Sequence, residues 1–275
     1  MGRGRGEELI RRVAVVLALQ PSAVVLDYGG TIIEEAGRRQ ARQLVAGVRD
    51  KLSDLAQAVD RLVIVGSRPA GEMAATIDIP TALYIGRQGL DRIADQHEVR
   101  LALQPAAAEA FEHACAALRP YLRVMNGVDV DHDRGHSLTI HYEGAPLPRW
   151  TRGQILRLVQ PLTGRGITIQ EGRRLVELWP AGTPGKAGVV EGLVQTERLR
   201  GLVYCGDDRR DLDTFHALAR LRQEREVACL SLAVLGRDTA AEVPEAADAS
   251  VGGADQLMEV LHAAATLVAS PTWQH

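Results

Sequence analysis

The chain has 275 residues, 46% hydrophobic and 24% charged, an ordinary globular balance and enough length for one large domain or a core with an inserted subdomain. A net charge of −3 gives no electrostatic case for nucleic acid or an anionic membrane as partner, and 4% aromatics is too few for interleaved base-stacking platforms. Cys115, Cys205 and Cys229 are widely spaced and form no Cys-x-x-Cys pair, which argues against a disulfide framework or a zinc site and for buried thiols in a reducing cytoplasm.

Arg3, Arg5, Arg11 and Arg12 precede the apolar run 13–19, but Glu7 and Glu8 interrupt the basic stretch and no Ala-x-Ala-like site follows. The segment reads as an amphipathic helix packed on the core, and no apolar stretch reaches transmembrane length. Residues 23–26 then form a short apolar strand that runs into Asp27-Tyr28-Gly29-Gly30-Thr31. Leu44, Val45, Val48, Leu52, Leu55 and Val59 recur at helical spacing and predict a helix over 40–59. Strands follow at 62–65, ended by Gly66-Ser67-Arg68-Pro69, and at 81–85. Strand and helix in alternation imply right-handed βαβ units and a mostly parallel sheet.

The pattern changes after about residue 96. An alanine-rich helix over 106–118 precedes strands at 122–130 and 137–142, a helix at 151–162 and a hairpin of 167–170 with 174–178. This is the pattern of a small α+β subdomain inserted into the parallel domain. From residue 183 the alternation resumes: a helix from Pro184 to about residue 198, strands at 202–206, 228–234 and 248–251, and helices at 211–222 and 255–269. The resulting division is a core of 1–98 with 183–275 and a cap of 99–182.

The chemistry-bearing residues lie at strand ends. Asp27 ends the first apolar strand, where a phosphoryl-site nucleophile belongs, although a strand-end aspartate is more commonly a turn former or cap. A second strand ends in Gly206-Asp207-Asp208-Arg209-Arg210-Asp211. Asp211 there suits a helix cap, whereas adjacent Asp207 and Asp208 repel each other unless a cation such as Mg²⁺ lies between them. Lys186, at a helix start, is the candidate cation for neutralising a phosphate; its ordinary reading is an exposed surface lysine.

These motifs resemble those of the trehalose-6-phosphate phosphatases of the haloacid-dehalogenase-like (HAD) superfamily. Asp27-Tyr28-Gly29-Gly30-Thr31 looks like Asp-Tyr-Asp-Gly-Thr; 63–69 is similar to Val-Ala-Ile-Val-Ser-Gly-Arg-Pro; 206–215 looks like Gly-Asp-Asp-x-Thr-Asp-Glu-Asp-x-Phe. Asp133-Arg134-Gly135-His136-Ser137 through His141-Tyr142, and Val176-Glu177-Leu178-Trp179-Pro180, resemble the family's cap motifs. The resemblance implies an α/β fold: a Rossmann-like HAD core with a parallel sheet plus an inserted α+β cap. It implies Asp27 and Lys186 as catalytic residues. Ser67, Arg68, Arg134, His141 and Glu177 would bind phosphate and substrate. Mg²⁺ would be held by Asp27, Gly29 (through its carbonyl), Asp207, Asp208 and Asp211, and the partner would be a small-molecule sugar phosphate.

Departures cluster at the chemistry. Gly29 replaces the family's general acid, Gly66-Ser67 and Gly185-Lys186 invert family pairs, Arg210 replaces a threonine, His132 stands for a glutamate and Glu143 for an arginine. Two functions follow as alternatives: a weakened phosphatase, with His132, His136 or His141 as substitute acid, or a non-catalytic homologue that binds a phosphosugar or a protein partner.

Overall fold

The structure is a computed structural model and describes residues 3–34, 43–44, 47–95, 97–224, 227–236 and 239–270. The chain divides into two units, residues 1–100 with 184–275, and residues 101–183.

The first unit opens with α1 (Arg3–Leu17), β1 (Ser22–Asp27), a short ribbon of β2 (Ile33–Glu34) with β3 (Gln43–Leu44), and α2 (Val48–Ala58). It continues through β4 (Arg61–Val65), α3 (Ala70–Ile77), β5 (Leu83–Gly86), β6 (Asp91–Ala94) and β7 (His97–Arg100). The second unit comprises α4 (Pro105–Arg123), β8 (Asp129–Asp133), β9 (Ser137–His141), α5 (Pro148–Val159), β10 (Ile167–Gly172) and β11 (Leu175–Pro180). The chain then returns to the first unit with α6 (Gly185–Thr196), β12 (Gly201–Gly206), α7 (Leu212–Gln223), β13 (Ala228–Val234), α8 (Glu242–Ala246), β14 (Ala249–Val251) and α9 (Gly253–Ala269).

The first unit holds a sheet in the order β14-β13-β12-β1-β4-β5-β6-β7. β14 through β5 run parallel, as the mostly parallel expectation has it, and β6 and β7 add an antiparallel edge. Every residue of β1 is buried because helices cover both faces. On one face Val24, Leu26, Ile64 and Val203 pack with Val13, Leu52, Met73 and Leu261 of α1, α2, α3 and α9. Val25, Val63 and Tyr204 point the other way, to Val190, Leu193, Phe215 and Leu218 of α6 and α7. β1 sits between β4 and β12, and the chain leaves it in opposite directions, so the carboxyl ends of these strands form a switch point where ligands bind.

The second unit is a four-stranded antiparallel sheet, β10-β11-β9-β8, with α4 and α5 on one face. Leu138, Ile140, Val176 and Leu178 meet Phe111, Cys115, Leu118, Leu122 and Ile155 there. The alternate residues Thr139, His141, Glu177 and Gln170 lie on the opposite face of the same strands.

Three of the differences from the sequence reading have a clear local cause. The helix expected over 40–59 begins at Val48; Gln43 and Leu44 form a strand instead, and 40–42 with 45–46 lie outside the described residues. The apolar series had run across the end of a strand, where Gly47 at φ 74 breaks the helix. The strand expected over 122–130 is helix up to Arg123, because Phe111, Cys115, Leu118 and Leu122 continue one buried helical face past Pro120. The hairpin turn lies at Arg173-Arg174, one residue later than expected, with Arg174 at φ 57. Among the described residues no helix is long and apolar enough to cross a membrane.

Candidate active site

β1 and β12 are in register from Ser22 opposite Gly201 to Leu26 opposite Cys205, so Asp27 and the acidic loop emerge side by side. On its other side Asp27 pairs with Val65, which brings the Gly66-Ser67-Arg68 loop to the same end. Lys186 enters from the first turn of α6.

These side chains form one buried network. Lys186 Nζ lies 2.7 Å from Asp27 Oδ1 and 2.7 Å from Asp211 Oδ1, with all three side chains almost wholly shielded from solvent. The surface-lysine reading of Lys186 is therefore excluded. The Tyr204 hydroxyl donates to Asp211 Oδ1 at 2.6 Å, and the backbone N–H groups of Asp207 and Asp208 donate to Asp211 Oδ2 at 3.0 and 3.1 Å. Asp211 thus fixes the loop, the tyrosine and the lysine at once. It also closes a reciprocal capping box with Asp208 on the short turn before α7, but its side chain makes no cap bond to α7 itself, so the expected helix-cap role is not the one it plays.

Burial, reinforced by the Asp211 carboxylate and opposed by Lys186, pushes the Asp27 carboxyl up to about 7. Burial and the neighbouring Asp208, Asp27 and Asp211 carboxylates raise Asp207 well above its usual range. Burial draws the Lys186 ammonium down, but Asp211 and Asp27 outweigh it and hold its pKa above the ordinary lysine value. Burial also opposes ionisation of Asp208, yet Arg210 wins and holds it below the usual carboxylate range.

Oxygens of Asp27, Asp207 and Asp211 lie within 4.8 Å of one another, a group able to hold a cation. Asp27 Oδ2 and Asp207 Oδ1 are buried without hydrogen-bond partners. Orphaned hard oxygens of this kind suit Mg²⁺, so the residues present fit such an ion. Asp211 is already bonded through both oxygens, whereas Asp27 Oδ2 and Asp207 Oδ1 are unpartnered. Asp208, expected among the metal ligands, is instead engaged by Arg210: its Oδ1 accepts from Arg210 N and its Oδ2 from Arg210 Nε, each at 2.8 Å. Gly30, at φ 79, passes so close to the Asp207 carboxylate that a Cβ there would collide with it.

The Gly66–Arg68 loop is tied down from β5's end. Gln88 N donates to the Gly66 carbonyl at 3.0 Å and Arg87 N to the Arg68 carbonyl at 2.9 Å. Arg87 and Gln88 both have positive φ, and the buried Asp91 carboxylate accepts from Arg87 and from Ala70 N at the start of α3. Sequence reading missed this clasp and Tyr204 alike. Tyr204 sits in an apolar strand and looks like core; Arg87 and Gln88 show nothing in sequence, though the flanking Gly86 and Gly89 mark a turn.

The trehalose-phosphatase family matches residues 25–244. The chain belongs to this family. It is 30% identical over 205 residues to an uncharacterized glycosyl hydrolase of Mycobacterium tuberculosis, covering 71% of this chain and 15% of that protein. It is 22% identical over 211 residues to a probable trehalose-phosphate phosphatase of Arabidopsis thaliana, covering 72% of this chain and 65% of that one. Among solved structures, the C-terminal domain of Candida albicans trehalose-6-phosphate phosphatase superposes with a TM-score of 0.78 at 16% identity, covering 95% and 96% of the two chains. A HAD-superfamily phosphatase from Bacteroides thetaiotaomicron gives 0.60 at 16% identity, covering 89% and 95%. The HAD fold with a cap is thereby shown.

The residues expected to bind substrate separate by face. Glu177 is fully buried on β11, and His141 lies two residues beyond Thr139, its cross-strand neighbour, on the same side of the sheet. His141 Nε2 lies 3.5 Å from Asp131 Oδ2. Arg134 is in the exposed β8–β9 turn. His132 is on the helix-covered face, edge-on to Phe111, with Nδ1 3.0 Å from Arg119 and Nε2 3.0 Å from Glu112. Arg119 can only donate, so Nδ1 accepts and Nε2–H donates to Glu112. Both nitrogens are engaged, which removes His132 as a substitute acid. His136 Nδ1 is bonded to the Arg134 carbonyl at 2.8 Å.

Proposed function

We propose that this trehalose-phosphatase family chain is a Mg²⁺-dependent phosphomonoesterase acting on a sugar phosphate of the trehalose 6-phosphate type, in a reducing cytoplasm. The observation that carries the reading is the buried Asp27–Lys186–Asp211 arrangement. A carboxylate at a switch point, oriented through one oxygen by a buried ammonium and left unpartnered at the other, has an oxygen available to a metal or a phosphorus atom.

In this reading the Asp27 carboxylate attacks phosphorus and the ester P–O bond breaks. The sugar leaves with the ester oxygen, which takes its proton from solvent because Gly29 carries no acid. Water then attacks the aspartyl phosphate, releasing inorganic phosphate and restoring Asp27. Asp27, Asp207 and the Gly29 carbonyl would hold Mg²⁺, which when bound offsets charge on the phosphate. Lys186 orients Asp27 and offsets the charge that gathers as phosphate enters. Ser67 and Arg68 bind the phosphate oxygens on the clasped loop, and Arg134, His141 and Glu177 are assigned to the sugar.

Phosphate release from a panel of sugar phosphates, with and without Mg²⁺, tests this. Turnover that requires Mg²⁺ and vanishes in Asp27→Asn supports it; turnover retained in Asp27→Asn overturns it. Gly29 favours a second reading, a homologue that binds a phosphosugar or protein without turning it over. In that case wild type shows no release, and Gly29→Asp does not restore it.

A further inference from the structure

Arg210 is an unusual occupant of this pocket. The family motif has a threonine there, whereas here a long cation is folded inward with its side chain only 9% exposed. Its guanidinium and its own backbone N–H together bind both oxygens of Asp208. Arginine is charged at every accessible pH, so it cannot yield by losing a proton. The pocket therefore contains four carboxylates, Asp27, Asp207, Asp208 and Asp211, and two fixed cations, Lys186 and Arg210.

We propose that Arg210 is a resident counter-ion of the acidic pocket. It neutralises Asp208, reduces the negative charge offered to a divalent cation, and sets a lower Mg²⁺ affinity than the same loop has with a neutral residue at position 210. This inference rests on the metal-dependent reading above. Its physical basis is Coulombic: a buried positive charge beside the ion site repels an incoming dication, and the shielded setting weakens solvent screening. The same contact offsets, from within the chain, part of the repulsion between the adjacent Asp207 and Asp208 carboxylates. Arg210 touches no reacting atom in this account; it positions Asp208 and tunes the site.

Isothermal titration of purified protein with MgCl₂ tests it, using wild type, Arg210→Gln, Arg210→Thr and Arg210→Lys, each checked for folding by circular dichroism. The two neutral variants should bind Mg²⁺ about tenfold more tightly or better, while Arg210→Lys, which keeps the charge, stays near wild type. Saturating Mg²⁺ should also raise the melting temperature of the neutral variants more than that of wild type. Structural damage alone would weaken binding, so tightening is the discriminating result. Wild type that binds, with Arg210→Gln binding no more tightly, overturns the counter-ion role and leaves the metal reading standing. No Mg²⁺ binding by wild type or any variant overturns both.

Discussion

The Tyr204 hydroxyl and the Lys186 ammonium share one oxygen, Asp211 Oδ1, at 2.6 and 2.7 Å. With the two backbone donors on Oδ2, this makes Asp211 the hub of the site, although the residue reads in sequence as a helix cap. Asp211→Ala should destabilise the protein by about 3–5 kcal/mol, because the buried Lys186 ammonium loses one of its two carboxylates and the Tyr204 hydroxyl and two backbone N–H groups lose their acceptor. Tyr204→Phe removes one bond to a charged group and should cost about 1.5–3 kcal/mol. Urea denaturation of both variants measures the difference, and equal losses would contradict the hub role.

Gly30 meets two constraints, a left-handed backbone and contact with Asp207. Gly30→Ala should keep the circular dichroism of the folded chain while weakening Mg²⁺ binding and phosphate release by at least about tenfold. Titration and a phosphate assay on the same preparation check this.

Asp27, raised by burial to about 7 from a usual value near 3.8, makes metal-free stability depend on pH. The folded state holds this proton more tightly than the unfolded state. The contribution is therefore fully present below about pH 4 and is lost as pH rises to 7. Denaturation in EDTA across this range should show wild type losing stability relative to Asp27→Asn by up to about 1.4 kcal/mol per pH unit. A flat difference would count against the burial argument.

Gly29→Asp should raise turnover of a sugar phosphate by about 10²–10⁴-fold, the usual worth of a positioned acid. An aryl phosphate, whose leaving group needs little protonation, should gain less. Equal gains on both substrates would place the deficit elsewhere.

Much of this was legible in the sequence because parallel strands buried on both faces write themselves as apolar runs. Ser22–Asp27 ends in a residue that carries chemistry and Gly201–Gly206 leads directly into Asp207, so strand and site are read together. Lys186 could be placed at a helix start, but its burial could not be seen, since burial depends on Asp27 and Asp211 arriving from distant segments. The pairing of Asp208 with Arg210 was equally hidden, because two residues apart in a loop says nothing of side-chain direction. His132 shows the limit most plainly: its position matched a substrate residue, while strand alternation put it against Phe111.

The insertion between β7 and α6 also has a bearing on how the protein comes to exist. Asp27 belongs to the first strand, and its acidic partners lie some 180 residues further along the chain. During synthesis the first strand, β4 and the whole of residues 101–183 emerge before β12 can dock beside β1. Until then one edge of β1 is unpaired and the site has a carboxylate with neither lysine nor metal partners. Closure of that strand pair is a long-range event of the kind that slows folding, so the site is assembled late, when the two ends of the core are joined.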